Sequence, residues 1–155
     1  MLYADTSPIA FTSLKDLCLA ALEQFSPTSI ATHAKRLPHS PASSTRPPCP
    51  EAQYGHELYR RMHIVLQGKA VIHSEFSYTE AGRIDFFLKQ PGWGIEIFKD
   101  GDLLEKHISR FTVGGAYHSW GIVNDYILLD FRTDGLQEKR SKCSLHYDRT
   151  QYSPV

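Results

Sequence analysis

Two acidic residues stand inside apolar runs, and their spacing is the part of this chain that could do chemistry. Asp85 lies in Ala81-Gly-Arg-Ile-Asp-Phe-Phe-Leu88 and Glu96 in Trp93-Gly-Ile-Glu-Ile-Phe-Lys-Asp-Gly101, with the turn-forming Lys89-Gln-Pro-Gly92 between them. The pattern predicts a β-hairpin. Symmetrical pairing about the turn sets Asp85 opposite Glu96, with Cβ atoms roughly 4.5–5.5 Å apart. A register shifted by two residues brings Phe98 opposite Asp85 and leaves Glu96 diagonal on the same face. Two like charges at about 5 Å and an effective dielectric near 20 repel by about 3 kcal/mol, against a domain stability of about 5–15 kcal/mol. A divalent cation, a proton on one carboxylate, or a nearby basic side chain relieves that repulsion. Arg83, Lys99 and Arg132 are the basic candidates; the cation makes the pair a site for metal-assisted chemistry on phosphate esters.

The elements that position this pair follow from periodicity. Ser13 to Phe25 reads as an amphipathic helix, with Ser13 as N-cap and Leu14, Leu17, Cys18, Ala21, Leu22 and Phe25 on one face. Such a stripe docks on a core or on a partner. Residues 26–50 hold six of the nine prolines and read as an extended linker. A second helix is expected over Glu51 to Leu66, with the stripe Tyr54, Leu58, Met62, Val65 and Leu66 and with Glu57 at its edge.

Strands are expected over Ala70 to Phe76, Arg83 to Leu88 and Gly94 to Lys99. In the second, Ile84, Phe86 and Leu88 oppose Asp85 and Phe87; in the third, Ile95 and Ile97 oppose Glu96 and Phe98. Both faces are thus largely apolar, as in a sheet covered on both sides. Asp102 with Glu105 reads as a capping box opening a helix through Phe111. Gly114 to Trp120 reads as a short helix without phosphate-loop spacing. Asp125 to Arg132 is a central strand, and the strand–helix–strand order favours its parallel pairing with the third strand. Beyond Thr133 the chain is polar and yields no clear element. The organisation is therefore 1–25 (helical region), 26–50 (linker), 51–133 (an α/β core) and 134–155 (a polar tail or a diverged edge strand).

The chain has 155 residues with 17 basic and 17 acidic side chains, so bulk charge does not advertise nucleic-acid binding. Three cysteines without a CxxC pair indicate neither a disulfide framework nor a zinc site. No signal-peptide pattern and no membrane-length apolar run is present, which points to an intracellular protein of nucleus or cytoplasm. His56 and His63 read as surface or packing residues. His107, following the acidic hairpin, has a structural hydrogen-bonding reading and an accessory catalytic one. Asp130 and Arg132 read as an ion pair, and Trp93 and Trp120 as buried aromatics rather than base-stacking platforms.

The order helix, three strands, helix, strand, with Gly82-x-x-Asp85 and Glu96, resembles the αβββαβ core of the PD-(D/E)XK, or restriction-endonuclease-like, superfamily. Ala-Gly-Arg-Ile-Asp85-Phe-Phe, Trp-Gly-Ile-Glu96-Ile, Asp100-Gly101, His107, Arg110-Phe111 and Asp-Tyr-Ile-Leu-Leu-Asp-Phe-Arg132 resemble a group of fungal proteins, some similar to Crinkler-type effectors. The resemblance covers about Glu51 to Thr133; Ser-Pro-Ile-Ala-Phe-Thr-Ser-Leu-Lys15 is similar to that group as well. It implies a nuclease hydrolysing DNA with Mg2+ or Mn2+, held by Glu57 on the first core helix and by Asp85 and Glu96, and it implies a homodimer for many members. The lysine that orients the attacking water belongs two residues after the glutamate, where this chain has Phe98.

Lys99 comes one residue late and projects to the opposite face of a regular strand. A bulge at Asp100-Gly101 would return it to the site as the charge stabiliser, and Lys89, Lys106, His107 and Arg83 are further basic candidates. The reading from a different class is a catalytically inactive descendant, an effector or a module binding nucleic acid or protein. The N-terminal helix would serve a protein partner.

Overall fold

The computed structural model describes residues 9–26, 51–132 and the strand 142–146. The linker over 27–50 and most of the tail beyond Arg132 lie outside these residues. The elements are α1 (Leu14–Glu23), α2 (Glu51–Leu66), β1 (Ile72–Phe76), β2 (Ile84–Leu88), β3 (Trp93–Lys99), α3 (Leu104–Phe111), a 3-10 turn (His118–Trp120), β4 (Asp125–Arg132) and β5 (Lys142–His146). The strands form one mixed sheet in the order β1-β2-β3-β4-β5. β2 is antiparallel to β1 and β3, β3 is parallel to β4, and β5 is antiparallel to β4.

α1 begins where Ser13 caps it: the Asp16 backbone N–H donates to Ser13 Oγ at 3.1 Å. Its stripe of Leu14, Leu17, Cys18 and Ala21 is fully buried against α2 and the sheet. The chain's own core therefore takes up the face that the sequence left available to a partner. Tyr54 of α2 stacks on Phe131 at 4.6 Å between centroids, and Phe25 packs beside that ring at 5.7 Å. α3, the 3-10 turn and Tyr117 cover the other face with Phe87, Phe98, Tyr126 and Leu128, and Phe111 stacks on Tyr126 at 4.1 Å. Both tryptophans are buried. Among the described residues no helix is long and apolar enough to cross a membrane.

Two expectations need correction, and one that was open between two alternatives is decided. The helix after β3 does not open on an Asp102–Glu105 capping box: its N-cap is Leu103, without a side-chain cap. Asp100, Gly101 and Leu103 all take left-handed φ values of 54–74°, and Asp130 Oδ1 accepts from Gly101 N at 3.0 Å. This tight descent delays the helix by a residue. Second, of the two readings of the tail the edge strand is the one formed: β5 pairs with β4 in register from Leu128↔His146 to Arg132↔Lys142. Backbone pairing forms it although the sequence there lacks an apolar run.

Third, the alternation of β2 breaks at Asp85. Ile84 packs with Phe87 on the α3 side, whereas Phe86 and Leu88 face α1 and α2. The pairings of β1 with β2 include Ser74↔Phe86 and Phe76↔Ile84 but skip Glu75 with Asp85, and Glu75 has φ +52°. Pairing of β2 with β3 runs from Leu88↔Trp93 to Phe86↔Ile95. The sheet is therefore locally opened at the acidic residue.

Candidate active site

Asp85 fills the gap where β2 and β3 part. The pairing that ends at Phe86↔Ile95 follows the symmetrical register, which continued by one residue would set Asp85 opposite Glu96. Its Oδ2 accepts the Ile97 N–H at 2.9 Å, so the carboxylate takes the place of a backbone partner and lies along the seam between strands. Among the described residues Oδ1 has no hydrogen-bond partner. Burial pushes the Asp85 carboxyl up to about 6, the Ile97 N–H opposes that rise, and the carboxylates of Glu96 and Glu51 add to it.

Glu96 is 1 % exposed and its two oxygens are enclosed by donors. His107 Nδ1 bonds to Oε2. Arg110 Nη1 lies 3.1 Å from Oε2 and 3.3 Å from Oε1. Tyr117 Oη donates to Oε1 at 2.6 Å. A carboxylate offers about four lone-pair sites, and these contacts occupy them. The Tyr117 hydroxyl also lies against the Arg83 carbonyl, so its single proton has two acceptors in reach. Burial and Glu96 hold that proton well above the usual phenol range. Burial alone would lower the Arg110 guanidinium, but Glu96 and Tyr117 outweigh it and the net shift is upward.

Tyr117 reaches this position because two glycines let it. A Cβ on Gly82 would stand 2.6 Å from Tyr117 Cε1, and one on Gly115 would stand 2.2 Å from Ser109 O. Gly82 thus admits the ring, and Gly115 lets the chain fold back so that Tyr117 N donates to Arg110 O at 2.8 Å.

The carboxylate of α2 that acts electrostatically on Asp85 is Glu51, whereas Glu57 is engaged by arginines of its own helix. Glu57 is buried in a clamp: Arg61 Nη2 lies 2.6 Å from Oε1, Arg60 Nη1 3.5 Å from Oε2, and Ser26 N donates to Oε1 at 3.5 Å. Six residues of helix separate the two glutamates by about 9 Å along the axis and about 240° around it. Glu51 sits in the field of the site: partial burial raises its carboxyl, His107 opposes this, Asp102 and Glu96 add to it, and Lys99 opposes it.

β3 keeps its parallel register through Lys99↔Phe131, so no bulge returns Lys99 to the face of Glu96. Its Nζ pairs with Asp100 Oδ2 at 3.3 Å, and its charge acts on Glu51. Lys89 is exposed on the β2–β3 turn, at the end of β2 away from Asp85. Arg83 pairs loosely with Glu75 at 3.6 Å on the surface and contributes its carbonyl to the Tyr117 contact. Arg132 Nε donates to the buried Asp130 at 2.6 Å, forming the expected ion pair. The relief of Glu96 comes from Arg110 and His107, neither of them among the three basic candidates proposed for the pair.

Among the described residues no three His, Cys, Asp or Glu side chains converge to hold a metal ion as they stand. Magnesium does not demand such a cage: it is held by one or two carboxylates, keeps several waters and takes oxygen from substrate phosphates. The residues fit that mode. Among the described residues Asp85 Oδ1 has no hydrogen bond, and the Glu51 carboxylate acts on Asp85 from electrostatic range. Glu96, with its oxygens occupied, fits as the anchor of His107 and Arg110 and not as a direct ligand. Comparison of the chain with protein-family models, curated proteins and solved structures finds no match.

Proposed function

We propose that this chain is a divalent-metal-dependent phosphodiesterase of the restriction-endonuclease-like kind, acting on DNA. The observation that carries this reading is the half-buried Asp85 carboxylate, with one oxygen unpartnered among the described residues, set in the field of Glu96 and Glu51 where the sheet opens. The element order αβββαβ, with β2 antiparallel to its neighbours and β3 parallel to β4, agrees with the fold that the resemblance implies.

Asp85 and Glu51 would hold magnesium or manganese, which supplies an acidified water and charge neutralisation at the scissile phosphate. Asp85 is oriented for this by the Ile97 N–H, which fixes Oδ2 and leaves Oδ1 directed away from it. Glu96 fixes the His107 ring and the Arg110 guanidinium beside the acidic group. DNA, as the substrate, comes from the resemblance. With zero net charge, its capture rests on local contacts rather than long-range steering.

Nicking of supercoiled plasmid in Mg2+ or Mn2+ tests the reading. The wild-type chain is expected to cut and Asp85→Ala to lose at least about 100-fold in rate. Equal activity in both, or activity in neither, overturns it. A second reading, a non-catalytic module that binds nucleic acid or protein as an effector does, is favoured by Phe98 at the lysine position. Binding of DNA without cutting by the wild-type chain would support that reading instead.

A further inference from the structure

We propose that His107 is the proton acceptor for the attacking water in this site, with Glu96 and Phe98 as its positioning residues. The assignment rests on the phosphodiesterase reading and fills the role left open by the absence of a lysine two residues after Glu96.

Three features place His107 there. First, its two ring nitrogens are differentiated. Nδ1 is bonded to Glu96 Oε2, an oxygen that only accepts when ionised, so Nδ1 carries the hydrogen and Nε2 of the neutral ring carries the lone pair. Among the described residues Nε2 has no partner. Second, the ring stacks on Phe98, with centroids 5.3 Å apart and planes 19° from parallel. Phe98 shares the face of Glu96 on β3, so the residue standing where a lysine would be expected forms the support of the imidazole. Third, His107 is the basic side chain within electrostatic reach of all three carboxylates: it contacts Glu96 and lies near enough to Asp85 and Glu51 to influence both. Arg110 is held by Glu96 and Tyr117, and Lys99 by Asp100.

In the step assigned here, one O–H bond of a water breaks and its proton passes to His107 Nε2. The water oxygen forms a bond to phosphorus as one P–O ester bond breaks, its electron pair leaving with the ester oxygen. That oxygen takes a proton from solvent, and His107 later returns its own to solvent. The products are a phosphate monoester and an alcohol. Glu96 does not touch the reacting atoms; it holds the tautomer and the ring plane.

Two variants separate this role from a structural one. His107→Asn keeps a side-chain N–H near the position of Nδ1 but lacks Nε2; His107→Ala leaves room for free imidazole. Both are assayed by plasmid nicking in Mn2+ with kcat and KM resolved, alongside calorimetric Mn2+ uptake and thermal unfolding. General-base removal is expected to lower kcat by about 100-fold or more in both variants, with KM and Mn2+ uptake within about twofold of wild type. Added imidazole is expected to recover activity in His107→Ala and not in His107→Asn. A His107→Asn chain that cuts within about threefold of wild type overturns the assignment alone. Failure of the wild-type chain to cut overturns the phosphodiesterase reading and this assignment with it.

Discussion

Asp85 has opposite requirements in the folded and unfolded chain. Folding encloses its carboxyl and raises it from 3.8 to about 6. Between those values the native, metal-free protein binds more protons than the unfolded one, so stability falls as pH rises from about 4 to about 6 and stays lower above. The shift corresponds to an upper bound of about 3 kcal/mol. Asp85→Asn keeps an oxygen to accept the Ile97 N–H and removes the charge. It is expected to be more stable than wild type by about 1–3 kcal/mol at pH 8 and nearly level with it at pH 4, as read from urea unfolding. A gain of the same size at both pH values would contradict the electrostatic account. The Asp85–Glu96 juxtaposition was legible because a four-residue turn and two apolar runs leave few registers. Of the partners of Glu96, His107 was legible as a hydrogen-bonding residue following the hairpin, whereas Tyr117 was not, because it arrives through a close approach over Gly82 that no local pattern encodes.

On α2 the two glutamates have separate tasks. The resemblance pointed to Glu57 as the helix ligand, and an acid in the first turn of a helix, as Glu51 is, is ordinarily a macrodipole partner. Only the placement of α2 against the end of β3 tells them apart. Glu57→Gln is expected to cost about 1–3 kcal/mol of stability, since Arg60 and Arg61 lose a buried partner, and to leave plasmid nicking unchanged. Glu51→Gln, at an exposed position, is expected to leave stability within about 0.5 kcal/mol and to reduce nicking. The reverse pattern would return the helix ligand to Glu57. Helix and strand spans were largely readable from periodicity, whereas the start of α3 was not. There the left-handed Asp100, Gly101 and Leu103 decide where the helix begins, and a tertiary bond from Gly101 N to Asp130 holds that turn.

For the molecule as a whole, the five-stranded order depends on β5. β4 is buried from Tyr126 to Phe131 and pairs along its length with β3 on one side and, over Leu128 to Arg132, with β5 on the other. A chain ending at Arg132 would present that apolar strand as an open edge. It is expected to self-associate, seen as concentration-dependent light scattering, while a monodisperse truncated chain would show that β5 is dispensable. β5 was hard to read because pairing to a central strand can form a short edge strand without an apolar run of its own.

The central claim is that the acidic group around Asp85 takes up a divalent cation, and Mn2+ titration calorimetry on the whole chain tests it most directly. The expected result is saturable uptake by wild type that is lost in Asp85→Asn, weakened in Glu51→Gln and retained in Glu57→Gln. No uptake by wild type, or equal uptake by all four proteins, would contradict it.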